Sequence, residues 1–561
     1  MAEDSTKYAA FESTGARLHR TVPKERWCVT KADLLALRQK VRDAVAIGRI
    51  IPTSCDPFDP LDDIDGPCIR TIVEQFIIPV THSAGDVSWA LMLHPDGLQC
   101  DLFVTHCWEE GIYEFIDKVV TSWPAGAKHA YCCMLSNPQN LDISGLISCP
   151  ENSPFAKSLM SSKYMLVVPN SKISIYSRIW CVYEAYLGER WEKTIYTAWT
   201  PIRGFWWHLL SQVVCVLLGV FIAAACVYSF KWQIDRFDAK MSRSAYAWGI
   251  IFCWSFLPWA CNGSRLASRC FGLFSGLYFG AGIVAVDFGV ANDFYPSFIH
   301  TSGMIKDNII GWCQCAFAVV AAIAVEVDCQ FAHGATEQER QLRNGYDGSA
   351  RYAQSSVAQD KDCIFEEFEA SGSWTRVDDA VNVLMHTGMS TPSLREVAAR
   401  GIDIRDAGSY KVTFVFAGMC WCPFYMCYVG SQVWFGFVVM GVMQCVVGAA
   451  IWCSLPYDHK AFAARVMIVY DQLFVGTFLI VLPVCTVGGL SFVLFMYAVS
   501  LALVALGPAR VARVPYIGTC ITKFCLWHWN CLCLEHPESI RSLLCYSYEA
   551  LDRDLHSELL R

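Results

Sequence analysis

Apolar positions along the chain follow a helical period, then short continuous runs, then very long ones. Leu34, Leu37, Val41, Ala44 and Val45 recur at helical spacing behind Thr30, which predicts a capped helix over Thr30–Ile50. Pro52–Gly66 is acidic and proline-containing and reads as a loop. Cys100–Val104 is a short apolar run of the kind a buried strand shows, ending in Thr105-His106-Cys107-Trp108. Ile112, Phe115, Ile116, Val119 and Val120 then form one face of a helix, and Ala130–Leu135 is a second apolar run, closed by Ser136-Asn137-Pro138. Ser153-Pro154-Phe155 opens a helix through Met160, and Tyr164–Val168 is a third strand stopped by Pro169-Asn170. Ser177–Glu184 begins a final helix running to about Leu187. This alternation, with strands apolar throughout, predicts an α/β unit with a parallel sheet covered on both faces. Ligands on such sheets bind beyond the carboxyl ends of the strands, where Thr105, His106, Asn137 and the loop before Glu184 are expected to converge.

Beyond residue 200 the pattern changes scale. A spanning helix needs about 20 mostly apolar residues. Runs of that kind fall at Phe205–Phe230, Tyr246–Cys261, Cys270–Ala291 and Asn308–Val325, and again at Val412–Tyr428, Val433–Leu455, Val466–Val484 and Gly488–Leu506. An all-α, multi-pass region of about eight helices is therefore expected, embedded in a lipid bilayer. Arg190, Lys193, Arg203, Arg265, Arg269, Lys460, Arg465, Arg510 and Arg513 fall on one side, which places both termini in the cytosol; the loop 231–244 runs against that rule. Asp287 and Asp471 are expected at interfaces, and nothing identifies which membrane holds the chain.

The resulting expected organisation is a helical and loop extension (1–94), an α/β domain (95–200), spans one to four (205–327), a cytosolic linker (328–410), spans five to eight (411–508) and a Cys-rich tail (509–561). Within the linker, Asn344–Ser356 is rich in Gly, Ser and Ala and is expected to be disordered. Val377, Ala380, Val381 and Leu384 predict a helix, and Thr391-Pro392-Ser393 a cap before Leu394–Arg400. The linker is either a plain cytosolic loop with amphipathic helix or a small docking element.

Composition changes the picture in three places. With 54% hydrophobic residues, 17% charged residues and a net charge of −8, the chain lacks the basic face of a general nucleic-acid binder. Met1–Ile50 has no apolar signal-peptide core, so the 29 cysteines are expected to be reduced rather than paired. Cys520, Cys525, Cys531 and Cys533, with His528 and His536, lack paired C-x-x-C spacing; S-acylation beside Trp527 and Trp529 is at least as good a reading as zinc, and no metal site is expected.

Two stretches resemble a known family. Leu102–Cys107, L-F-V-T-H-C, looks like the first-strand box of Toll/interleukin-1 receptor (TIR) domains, and Ser177–Glu184, S-R-I-W-C-V-Y-E, resembles their later S-x-W-C-x-x-E helix. The resemblance covers about residues 95–195 and implies a flavodoxin-like sheet, self-association in signalling and, in enzymatic members, cleavage of the nicotinamide–ribose bond of NAD+ as substrate, with no cofactor held permanently. It assigns the catalytic acid to Glu184. A carboxylate there can stabilise an oxocarbenium-like ribose. Thr105, His106, Trp108, Asn137 and Trp180 are the candidate ligand contacts, Trp180 by stacking on an aromatic ring. The R-D-x-x-P-G loop of many such domains is missing from Asn137–Cys149. For each candidate a plainer role stands beside the functional one. Glu184 could be a helix-surface carboxylate paired with Arg178, His106 a satisfied turn histidine, and Trp108 and Trp180 core aromatics. Glu109 and Glu110 suit the dipole of the next helix. A channel or transporter with a regulatory or catalytically inactive amino-terminal domain is the competing function.

Overall fold

In the computed structural model, the residues described here are 13–202 apart from 143 and 148, 204–229, 269–281 apart from 279, 303–355, 358–404, parts of 455–470, and 488–526. The chain divides into two units, 1–206 with 330–526, and 207–329 with 527–561.

The sheet of the first unit is built from strands of two to four residues: β1 (Val29–Thr30), β2 (Leu102–Thr105), β3 (His129–Cys132), β4 (Tyr164–Val167), β5 (Thr194–Thr197) and β6 (Met389–Ser390). Their order is β1-β3-β2-β4-β5-β6, with the central four parallel and β1 and β6 antiparallel at the edges. Phe103 of β2 stands opposite Tyr131 of β3 and Met165 of β4. The parallel core has the doubly wound order in which the chain leaves β2 first to one side and then to the other, opening a crevice between the carboxyl ends of β2 and β4.

Side-chain alternation divides the core in two. Leu102, Val104, Ala130, Cys132 and Leu166 face α1 (Lys31–Ala46) and α2 (Ile112–Thr121), whose Leu34, Leu37, Val41, Phe115, Ile116 and Val119 are buried against them. Phe103, Tyr131, Met165, Val167 and Ile195 face α3 (Pro154–Ser161) and α4 (Ile179–Arg190). The expected helix at Thr30 has its cap: the Thr30 hydroxyl accepts from the Asp33 amide and the Asp33 carboxylate from the Thr30 amide. The second apolar run is only half strand, because at Cys133 the chain turns into the short helix Cys133–Ser136, with the Ser136 hydroxyl accepting from the Cys132 amide.

The linker is part of this unit. Asn344–Ser356, expected to be disordered, is folded across its described residues, 344–355. Ala350 and Ala353 are buried, and the Asp378 carboxylate accepts from the Ala350 amide at 2.7 Å and the Ser349 hydroxyl at 2.9 Å. The Gln354 amide donates to the Ser177 carbonyl, and Gln354 accepts from Ile179, so the small residues that suggested disorder instead permit close packing on α4. α5 (Phe205–Ser229) and α6 (Gly303–Arg343) follow the sheet; α7 (Ala358–Ser371) and α8 (Trp374–Thr387) then add a layer over α4, with Phe368 against Tyr186 at 4.9 Å and Trp374 at 4.6 Å. The predicted stripe of α8, Val377, Ala380, Val381 and Leu384, is buried throughout. Gly388 leaves the helix with a φ of 70°, which an L side chain rarely adopts, and delivers β6 to the edge of β5.

The Lys118 ammonium pins three of these elements. It is fully buried on α2, donating to Glu114 at 2.6 Å, the Pro169 carbonyl at 2.5 Å and Gln341 of α6 at 3.0 Å. All three of its donors are satisfied, so the cost of burying the charge is offset locally.

Two helical stretches among the described residues, Phe205–Ala225 of α5 and Phe495–Ala512, are long and apolar enough to cross a membrane. The second lies in α10 (Gly488–Ala512), which follows α9 (Pro392–Ala399) and breaks at Gly507-Pro508, where Gly507 has a φ of 74°. Of the other runs, Tyr246–Cys261 and Val412–Tyr428 lie outside the described residues, and so do most of Val433–Leu455, Val466–Val484 and the end of Cys270–Ala291. Asn308–Val325 is not a separate segment but part of the 41-residue α6. Within the second unit, α5 and the helical residues 269–281 approach backbone to backbone: a Cβ on Gly280 would lie 2.0 Å from the Val216 carbonyl, and one on Gly219 2.2 Å from that of Leu277.

Replacing Lys118 by Met leaves Glu114, Pro169 and Gln341 without their donor, and is expected to destabilise the protein by about 3–5 kcal/mol. The check is the thermal unfolding midpoint of the variant; a midpoint equal to that of the wild type contradicts the pinning role.

Candidate functional site

Because successive residues of a strand face opposite ways, Thr105 and His106 leave β2 on opposite sides of the sheet. Thr105 follows Phe103 toward α4; His106 follows Val104 toward α2, its ring 4.8 Å from that of Phe115. The single convergence expected from the sequence is therefore two groups of residues.

On the first side is Glu184. It is buried at 5% exposure on α4, not a helix-surface carboxylate, and its Oε2 has no hydrogen-bond partner among the described residues. Burial pushes its carboxyl up to about 8; the Thr105 hydroxyl, which lies beside it without closing a well-aligned hydrogen bond, and the Arg178 charge offset only part of that. Arg178 pairs elsewhere: its guanidinium meets the Glu109 carboxylate at 3.0 Å, and Arg70 meets the same carboxylate at 3.0 Å. Burial alone would raise the Glu109 carboxyl, but the Cys107 thiol and the two guanidinium groups hold it below its usual value. Glu109 is thus a member of a half-exposed ion network rather than a helix-dipole partner, and the next helix begins only at Ile112. Cys107, donating to Glu109 at 2.6 Å, is pushed up to about 12 by burial and by that carboxylate, so it is a poor nucleophile. Cys181 packs inward as expected, its thiol raised by burial and by Glu184.

The remaining candidates divide. Asn137 is buried, and its Oδ1 accepts from the Tyr131 hydroxyl at 2.7 Å. Burial raises that phenol, and the nearby Cys133 and Glu184 charges add to the effect. Asn137 thus supports the site through Tyr131 rather than presenting a free amide oxygen. Trp180 donates its indole N–H to Asp360 of α7 at 2.9 Å and packs on Phe155 at 5.2 Å, which ties it to the linker layer. Trp108 donates to the Cys133 sulfur at 3.5 Å on the other side.

His106 belongs to that second group. Its Nε2 is 3.2 Å from the Cys133 sulfur and its Nδ1 is 3.2 Å from Glu110 Oε1. The His106 and Glu110 side chains are completely buried, and burial pushes the Glu110 carboxyl well above its usual range. Glu110 is therefore not a dipole partner of a helix in solvent but a buried neighbour of an imidazole.

Sequence reasoning missed Glu110 and Cys133 as a pair with His106, and Asn170, whose Nδ2 is buried without a partner just beyond β4. The signal for Asn170 was present in Pro169-Asn170 at the strand end; that for Cys133 was hidden in an apolar run. Among the described residues no group of three or more His, Cys, Asp or Glu side chains is arranged to hold a metal ion. Cys520 and Cys525 are described and free, whereas Cys531 and Cys533 lie outside the described residues.

Comparison with protein-family models, with curated proteins and with solved structures gives no match to this chain.

The Glu184 carboxyl makes a signed prediction. Its folded value, about 8, lies above the ordinary 4.5, so the folded state binds the proton more tightly than the unfolded one. That contribution is full below about pH 4.5 and is lost as the pH rises toward about 8, by up to about 1.4 kcal/mol per pH unit. The melting temperature of Glu184→Gln relative to wild type should therefore climb across that window and level above it. A difference independent of pH contradicts the buried, protonated carboxyl.

Proposed function

We propose that the chain is a multi-pass membrane protein, both termini cytosolic, whose TIR-like α/β unit signals by self-association and cleaves NAD+ at Glu184. The observation that carries this reading is a buried carboxyl with an unpartnered oxygen, beside the unpartnered Thr105 hydroxyl, at the carboxyl end of a central parallel strand. Unpaired buried polar atoms are costly, and a ligand with hydroxyl groups would satisfy them. Asn170 adds an unpartnered amide donor beyond the neighbouring strand.

The chemistry follows from charge. At rest Glu184 is mostly a neutral acid below pH 8. A pyridinium cation brought against it favours the ionised form. Loss of nicotinamide then leaves positive charge on the ribose, which the new carboxylate stabilises in a water-poor site. Glu184, at 5% exposure, is reached only after the covering side chains move, and the half-exposed Arg178–Glu109–Arg70 network beside it is a candidate for that movement. The membrane part rests on two sufficiently apolar helical stretches together with the further apolar runs of the sequence, about eight in all.

A second reading, a channel or transporter, is favoured by one feature of the second unit. Glu326 is buried on α6, accepting from Gln212 of α5 at 3.0 Å and lying 3.7 Å from His208. Acids on apolar helices are candidate ion or proton sites. Cation flux into proteoliposomes that is lost in Glu326→Gln would favour it.

The test of the first reading uses the full chain, because residues 344–404 complete the packing of α4. Reconstituted protein clustered on vesicles should release nicotinamide from NAD+, with kcat/KM rising with pH to a plateau above about 8. Glu184→Gln should lower the rate at least about 100-fold, whereas Glu151→Gln, on the exposed Arg190 pair, should not. Absence of nicotinamide release at every density overturns the enzymatic reading.

A further inference from the structure

We infer that Cys133 is a second reactive centre, a nucleophilic thiol that accepts an acyl group from a thioester. Three side chains from two neighbouring strand ends meet there: the Cys133 sulfur, His106 Nε2 at 3.2 Å from it, and Glu110 Oε1 at 3.2 Å from His106 Nδ1. This is the order of a nucleophile, a base and a group that orients the base. The imidazole and carboxyl are completely buried, while Cys133 itself is only partly buried.

The ordinary structural role of such a histidine is to satisfy its ring nitrogens. Here it does so poorly: His106 Nδ1 and both Glu110 oxygens have no well-aligned hydrogen bond among the described residues, although Nδ1 and Oε1 stand within ion-pair distance. A small rotation would close that contact, as happens when catalytic hydrogen bonds tighten on substrate binding. Another polar neighbour of the sulfur is the Trp108 indole N–H, which donates to it at 3.5 Å. Neither neighbour is a fixed cation, which suits an uncharged carbonyl electrophile rather than an anionic one.

The step balances with groups at hand. His106 Nε2 takes the Cys133 proton as the sulfur attacks the thioester carbonyl. The tetrahedral adduct collapses with cleavage of the old C–S bond, and the departing thiolate receives the same proton from His106. The products are S-acyl-Cys133 and a free thiol, with no change of oxidation state. A thioester fits because a thiolate is a good leaving group that departs without being protonated first.

The centre shares no side chain with the Glu184 group: His106 packs on Phe115 on the α2 face, while Cys133 borders the core that α4 covers. Full-length protein is incubated with the octanoyl thioester of N-acetylcysteamine, and each cysteine is followed by peptide mass spectrometry. Cys133 should be acylated at least about tenfold faster than the exposed Cys55 and Cys149 of the same molecules. His106→Gln should slow Cys133 about 100-fold and leave Cys55 unchanged, and Glu110→Gln should slow it less. The within-molecule comparison in the wild type needs no variant to fold. Acylation of Cys133 no faster than Cys55, or a rate unaffected by His106→Gln, overturns the proposal.

Discussion

Burial of both faces of a short parallel sheet is the constraint on which the first unit depends. All four residues of β2 are buried, as are the last three of β3 and of β4, so neither face of these central strands is left to water. The residues before position 200 cover one face with α1 and α2 and the other with α3 and α4, but α4 itself presents Tyr183, Tyr186 and Leu187 outward to a further layer. That layer comes from residues 344–404, more than 150 positions after the helix they cover. The same constraint fixes the chemistry, because the strict alternation that buries both faces also carries Thr105 and His106 to opposite sides.

Much of this frame was legible in the sequence, for a physical reason. Helix stripes such as Leu34–Val45 and Val377–Leu384 repeat a local period, and the Thr30 and Thr391 caps are local hydrogen bonds; each can be read without knowing what the helix packs against. The three central apolar strand runs were equally accessible, whereas β1, β5 and β6 were not, because two-residue edge strands and the half-buried Thr194–Thr197 carry no apolar run. Asn344–Ser356 was misread because small, polar residues look the same in a solvated tail and in a tight turn, and only the Asp378 carboxylate and the α4 surface distinguish the two. The partners of charged groups were the least legible. Arg178 is six positions before Glu184 yet pairs with Glu109, which arrives from another strand end.

Buried acids give the two sides of the sheet different capacities. On one side Glu184 is held neutral by desolvation and has an unpartnered oxygen, so it responds to a cation or a set of hydroxyl donors. On the other, Glu110 sits against an imidazole that touches a thiol. Lys118 lies on α2, and its charge pulls the Glu110 carboxyl downward without overcoming burial. Its own bonds to Pro169 and Gln341 hold the carboxyl end of β4 in place.

The central claim is that Glu184 rests as a neutral acid in a dry site and ionises only near pH 8. Infrared difference spectroscopy of the full-length protein against Glu184→Gln measures this directly. The account predicts a protonated-carboxyl C=O band at pH 6 that disappears with a midpoint near 8 and is missing from the variant. A band already lost by about pH 5, leaving Glu184 ionised at neutrality, would contradict it.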